Sequence, residues 1–234
     1  MKTLLRSVLP LVVASAAFAQ GTFESIGVEV TVEPQLPATL MMTGLRDGRV
    51  VVAIDVDAEG KLADFLVLAA SHRDLIRPCV SALQSWTYRP ARYDGVPVLA
   101  QLQLSIDISQ KGAVISRTPV ESLSDMVERI GPRRSDYQVW SAREIDHQPV
   151  AIFTVPPRYA EDARKQGVKG RIKVHFYIDE KGAVRMPAVH ADAEPYLSSV
   201  AIKALREWKF EPAMRRGKPV LVAATQEFAF GDEP

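Results

Sequence analysis

The side chains of this chain that could ligate a metal or run acid–base or nucleophilic chemistry are few and scattered: His72, His147, His175, His190 and the single cysteine, Cys79. Holding a transition metal on a helix needs two ligands at three- or four-residue spacing, so that both leave the same face. No two of the four histidines stand within four residues of each other, which removes that arrangement, and they read as surface or loop histidines. Ser71-His72 and Ser198-Ser199 supply hydroxyls, but no acid accompanies them in a repeated constellation, so acyl-transfer chemistry has no support. No basic pattern surrounds Cys79 that would lower a thiol pKa, and it reads as a small packed side chain. The expectation is no enzyme, no metal and no cofactor.

What does recur is scaffold. Residues 48 to 108 reappear without a gap 122 positions later at residues 170 to 230, with 17 of 61 aligned pairs identical. The identities include Gly48 with Gly170, Asp57 with Asp179, Gly60 with Gly182, Leu83 with Leu205, Trp86 with Trp208, Pro90 with Pro212, Gly95 with Gly217 and Pro97 with Pro219. These are turn and core residues, so one structural unit is expected twice, and paired binding modules are expected rather than paired active sites.

The elements of that unit follow from period. Ile172, Val174, Phe176 and Ile178 alternate with Arg171, Lys173, His175, Tyr177 and Asp179, the pattern of a half-buried strand with a polar outer face. Asp179-Glu180-Lys181-Gly182 then predicts a hairpin whose glycine takes positive φ. The first unit repeats this with Val50, Val52, Ile54 and Val56 inward, Asp57-Ala58-Glu59-Gly60 as the turn and a return strand through Leu62 to Leu68. Next, Leu197, Val200, Ala201, Ala204, Leu205 and Trp208 recur at helical steps. Their counterparts are Cys79, Ala82, Leu83 and Trp86, on a helix that Pro78 obliges to start near Arg77. Pro90 and Pro212 stop the helices, and both tryptophans are expected in the core. A third strand closes each unit: Val98, Ala100, Leu102, Leu104, Ile106 and Ile108 inward in the first, Val220, Val222, Ala224, Phe228 and Phe230 in the second. Between the units Thr118-Pro119-Val120-Glu121 reads as a capping box, followed by a short apolar stripe, so the linker is expected to be partly helical.

Lys2 and Arg6, the apolar run from Val8 to Phe18 and Ala17-Phe18-Ala19 predict a leader cleaved before Gln20. The run is too short, and broken by Pro10, to serve as a retained anchor, since a bilayer needs roughly 20 apolar residues. Export to the periplasm of a two-membrane bacterium follows as an expectation, without a stable membrane anchor after cleavage. Of 29 basic and 28 acidic residues, loss of Lys2 and Arg6 leaves 27 against 28, which offers no bulk attraction for nucleic acid. With one cysteine, no intramolecular disulfide can brace either unit. Units of about 85 residues bury a modest share of their surface, so packing of one on the other is an expected source of stability. The predicted division is 1–19 signal peptide, 20–110 first domain, 111–144 partly helical linker and 145–234 second domain.

The second unit resembles a known family. The residues that carry it are Ile145-Asp146-His147-Gln148-Pro149-Val150, Pro156-Pro157-Arg158-Tyr159, Gly167-Val168-Lys169-Gly170-Arg171-Ile172-Lys173-Val174, Asp179-Glu180-Lys181-Gly182, Ala201-Ile202-Lys203-Ala204-Leu205, Trp208-Lys209-Phe210-Glu211-Pro212-Ala213 and Gly217-Lys218-Pro219-Val220. Together they resemble the TonB C-terminal domain family over nearly all of residues 145 to 230, and a weaker copy fits residues 27 to 108, with Leu36-Pro37 near the family's Tyr-Pro pair. Tyr159-Ala160 replaces that pair in the second copy. The resemblance implies an α+β fold: two domains, each a three-stranded antiparallel sheet with helices packed on one face.

It further implies a TonB-like protein-interaction module of the periplasm, auxiliary to transport across the outer membrane and binding partners such as outer-membrane receptors by β-strand addition. The strand carried over for that role holds Val220, Val222, Ala224, Gln226, Phe228 and Phe230, with Val98 to Ile108 as its counterpart. Neither the long proline-rich spacer nor the uncleaved anchor of an energy transducer is read in this sequence. The other reading kept open is a structural or assembly protein of the cell envelope, in which the two edge strands pair with each other into one six-stranded sheet. A homodimer is compatible with either.

Overall fold

The computed structural model describes residues 22–36, 42, 47–109, 112–118, 135–165, 167–190 and 193–231. The expected leader and the helix expected after Thr118 lie outside them. In the first unit β1 (Asp47–Val56) and β2 (Leu62–Ala70) form a hairpin, α1 (Ile76–Gln84) follows a short 3-10 turn at Arg73–Leu75, and β3 (Ala100–Ser109) returns antiparallel to β1. The second unit repeats the order with β7 (Gly170–Ile178), β8 (Val184–Val189), α3 (Pro195–Arg206) and β9 (Val222–Phe230), and a five-residue helix α2 (Glu161–Lys165) precedes it.

Local chemistry explains these elements. Asp57 Oδ1 accepts from the amides of Glu59 and Lys61 at 3.1 and 2.8 Å, and Asp179 Oδ1 accepts from Lys181 and Ala183 at 2.9 Å each. Gly60 and Gly182 close the two turns at φ +79° and +80°, the left-handed region that glycine enters without strain. Pro78 sits in the first turn of α1, where no intrahelical partner awaits its missing N–H. Glu194 caps α3 by accepting from the amides of Tyr196 and Leu197 at 3.2 and 2.6 Å.

The sheets are wider than the three strands expected of each. The first is five-stranded in the order β5-β2-β1-β3-β4, with β4 (Gly112–Thr118) and β5 (Tyr137–Gln138); the second is four-stranded in the order β6-β9-β7-β8, with β6 (Trp140–Ser141). All three extra strands come from the stretch expected to be a partly helical linker. Gly112–Thr118 holds Val114, Ile115 and Thr118, β-branched residues that suit a strand, and it pairs antiparallel along β3 from Ser109↔Gly112 to Gln103↔Thr118. The edges of β3 and β9 therefore do not pair with each other; each is met by a strand from the inter-unit segment, so the six-stranded sheet is not formed.

Three apolar clusters result. Val50, Val52, Ile54 and Leu104 face α1 through Cys79 and Leu83, and Val174, Phe176, Ile178 and Phe228 face α3 through Leu197, Ala201 and Leu205. The third cluster lies between the sheets, where Val51, Ala53, Leu66 and Leu68 of the first meet Tyr177, Met186 and Leu221 of the second, with Val139 between them. Tyr177, assigned by alternation to a polar outer face, is thus fully buried. The alternation of β7 holds, but its outer face at Tyr177 is covered by the other unit. Trp86 is in the core as expected, whereas Trp208 is only half-buried. Both indoles donate to a preceding backbone carbonyl, Trp86 Nε1 to Val32 O at 2.9 Å and Trp208 Nε1 to Val155 O at 2.8 Å, so each also pins the chain that leads into its unit.

Burial pushes the Cys79 thiol up to about 12. A thiol kept protonated and shielded is a poor nucleophile. Labelling of native protein by a disulfide reagent at pH 8 should be undetectable until denaturant is added, and a fast stoichiometric reaction of the folded chain would contradict the packing described.

A polar cluster also lies where the two sheets meet. Asp55, buried on β1, accepts from Gln101 Nε2 at 3.1 Å and stands opposite Asp64 on β2. Asp64 in turn accepts from Arg185 Nη2 at 2.7 Å, an ion pair across the units. Desolvation raises the Asp55 pKa, with the Gln101 hydrogen bond and the Arg206 and Arg185 charges opposing and Asp64 reinforcing. A raised carboxyl pKa means the unfolded chain releases its proton first, so this group favours folding below its unfolded pKa and the contribution is lost as pH rises through the folded pKa. The buried Oε1 atoms of Gln101 and Gln103 lack a hydrogen bond. Asp55→Asn removes the buried charge and adds a donor, so the variant should be more stable than wild type at pH 7 by about 1 kcal/mol. Urea titrations at descending pH should show that gap closing toward pH 4; a variant less stable at pH 7 would refute it.

Candidate functional site

β9 is built by alternation on a strand whose inner side must cover α3. Val222, Phe228 and Phe230 are buried, Val220 and Ala224 pack partly against the same core, and Gln226 is half-buried, its Nε2 donating to Glu227 O at 2.8 Å. Phe230 meets Tyr159 edge-on with centroids 5.5 Å apart, and Phe228 meets Trp208 at 5.6 Å. Five of the six expected partner-binding residues thus lie on one face of β9, with Val220 just before the strand begins, but that face is turned to the protein's own core.

The other face and the outer edge are what solvent reaches. Thr225, Glu227 and Ala229 are exposed. Glu227 pairs with Arg171 at 3.2 Å, and Thr225 Oγ1 lies 3.2 Å from His175 Nδ1. Burial, then the Lys173 and His190 charges, lowers the His175 pKa, which keeps this imidazole neutral at pH 7. Among the described residues no group of three His, Cys, Asp or Glu side chains is placed to hold a metal ion. Alternation could have revealed Thr225, Glu227 and Ala229, since they are the odd positions of the same strand.

Backbone pairing separates the two units. The outer side of β3 is paired with β4 over Gln103 to Ser109. Among the described residues the outer side of β9 is met by β6 alone, which runs parallel to it with Trp140 opposite Val222 and Ser141 opposite Ala223, and Trp140 N donates to Leu221 O at 2.9 Å. From Thr225 to Phe230 no strand among the described residues pairs on that side. An unpaired strand edge presents a row of backbone donors and acceptors that an extended segment can satisfy. Nothing in the sequence signals that β6 would block one end of this edge, since two residues carry no readable period.

Among the described residues no helix is long and apolar enough to cross a membrane. The family model for the Gram-negative bacterial TonB protein C-terminal matches residues 32–122 and 155–231. Protein TonB of Vibrio cholerae serotype O1 is 29% identical over 77 residues, 32% of this chain and 32% of that protein. Protein TonB of Pseudomonas aeruginosa is 31% identical over 91 residues, 38% of this chain and 26% of that protein. The chain therefore spans about a third or less of the length of these relatives. The solution NMR structure of the Pseudomonas aeruginosa TonB CTD is 29% identical, with 41% of this chain and 95% of that chain covered and a TM-score of 0.34.

Proposed function

Because the chain belongs to the TonB C-terminal family, we propose that it is a periplasmic, non-catalytic protein-interaction module made of two tandem TonB C-terminal-like units, of which only the second takes up a partner strand. The observation that carries this is the difference between the two edges. β3 already has β4 along it, whereas among the described residues no strand pairs on the outer side of β9 from Thr225 to Phe230. In this reading the first unit is completed by the chain's own strand and serves as a platform, with its back face packed on the second unit. The partner is an extended segment of an outer-membrane receptor, held by main-chain hydrogen bonds and selected by side chains every second residue. The expected leader delivers the chain to the compartment where such segments are presented.

Amide exchange of the mature chain tests it, with and without a synthetic peptide from the periplasmic end of a receptor plug. Protection should increase along Thr225–Phe230 and stay constant along Ala100–Ser109. Unchanged exchange in β9 at saturating peptide, or equal gains in both strands, would defeat the proposal.

A further inference from the structure

A cleft of about 310 Å³ opens where the two units and the segment between them meet. Arg73 comes from the first unit, Tyr137 and Trp140 from the inter-unit segment, and Arg215, Arg216 and Lys218 from the hairpin before β9. Four cations thus face one cleft against two carboxylates, Asp136 and Glu180. Glu180 is engaged with the Tyr137 hydroxyl, which donates to it at 2.9 Å.

Two of the guanidiniums are already held in place. Arg73 Nε donates to Asp136 O at 3.2 Å and its Cζ lies 5.3 Å from the Tyr137 ring centroid. Arg215 Nε donates to Glu144 O at 3.1 Å and its Cζ lies 3.6 Å from the Trp140 centroid. In both, backbone carbonyl and aromatic face fix the plane while the terminal Nη groups make no hydrogen bond and no ion pair among the described residues. The side chains of Arg216 and Lys218 likewise make no ion pair among the described residues; the Asp146 carboxylate beside them accepts from the backbone amides of Arg216 and Gly217 at 2.9 and 3.0 Å. A planar fork fixed in advance, with both outer donors free, suits a carboxylate, because little side-chain entropy remains to be lost on binding.

The position of Trp140 names the occupant. Its backbone blocks the edge of β9 at Val222, and its ring walls the cleft, so the cleft lies at the closed end of the open edge. We propose that this inter-unit cleft binds an acidic stretch flanking the partner's strand, so that selection rests on carboxylates as well as on strand pairing. The inference deepens the reading of β9 given above and rests on it for the choice of a peptide.

Calorimetric titration of the mature chain at low salt would use a synthetic valine- and threonine-rich peptide ending in a run of glutamates, its glutamine counterpart and free citrate. The glutamate peptide should bind about tenfold more tightly than the glutamine one, equivalent to about 1.4 kcal/mol, and lose that preference in high salt. Arg216→Gln and Lys218→Gln, both at exposed hairpin positions, should each erode the preference severalfold. Lys203→Gln, at an exposed position of α3 that does not line the cleft, should leave it unchanged. Equal binding of the two peptides, or equal loss from Lys203→Gln, would overturn the cleft. Citrate binding as tightly as the glutamate peptide would overturn the peptide as occupant.

Amide exchange in the same samples separates the two ideas. Protection of Thr225–Phe230 by both peptides with no glutamate preference leaves strand pairing standing and removes the acidic cleft. A glutamate preference without that protection removes strand pairing and the partner-strand assignment with it.

Discussion

Gly182→Ala should lower the stability of the folded chain by about 3 kcal/mol or more, the sum of a backbone forced to positive φ and an overpacked contact. A Cβ at this position would overlap Phe210 O, a backbone atom with no freedom to move aside, because Phe210 N itself donates to Gly182 O at 2.9 Å. The turn and the chain leaving α3 are therefore locked against each other through the one residue that has no side chain. Gly217→Ala is the internal comparison: its φ is +71° but nothing lies within 4 Å of the added methyl. Only the left-handed backbone then counts, about 1 to 2 kcal/mol. Urea unfolding of the two variants should show the first far weaker than the second, and equal losses would mean that the turn does not pack on Phe210 as described.

Tyr177→Ala should cost about 3 to 5 kcal/mol, as for other fully buried aromatic side chains. The ring sits at the centre of the cluster between the sheets, beside Met186 and Leu221 from its own unit and Val51, Ala53 and Leu68 from the other. Burial also pushes its hydroxyl pKa up. Tyr93→Ala, at a tyrosine 51% exposed, should change stability by less than about 0.5 kcal/mol. If Tyr177→Ala were as mild as Tyr93→Ala in urea unfolding, the two units could not be packed face to face.

Where the units touch, aligned positions differ in kind. Val51, Ala53 and Leu68 of the first unit align with Lys173, His175 and His190 of the second, while Tyr177 and Met186 align with Asp55 and Asp64. In each pair the apolar member belongs to the cluster and the polar one does not. The interface therefore joins non-equivalent surfaces of two units similar in element order, and packing requirements differ at aligned positions. Buried on both faces, β1 reads as a nearly continuous apolar run, Val50 to Ile54, as a strand between two layers must.

Sequence alone determined the elements of each unit, their order, the two aspartate–glycine turns and the helix stripes, because those depend on neighbours two to four residues apart. It also marked which side of β9 is apolar. Tertiary structure decided which faces and edges are free: that β4 covers β3, that β6 stops the edge of β9 at Ala223, that Tyr177 is interior, and that Arg73 shares a cleft with Arg215 and Arg216. Apart from the β3–β4 hairpin, whose strands are neighbours in the chain, those facts join residues far apart in sequence, β6 through a segment too short to show a period. A covered face and an open face can have the same local pattern, and only the position of the other unit distinguishes them.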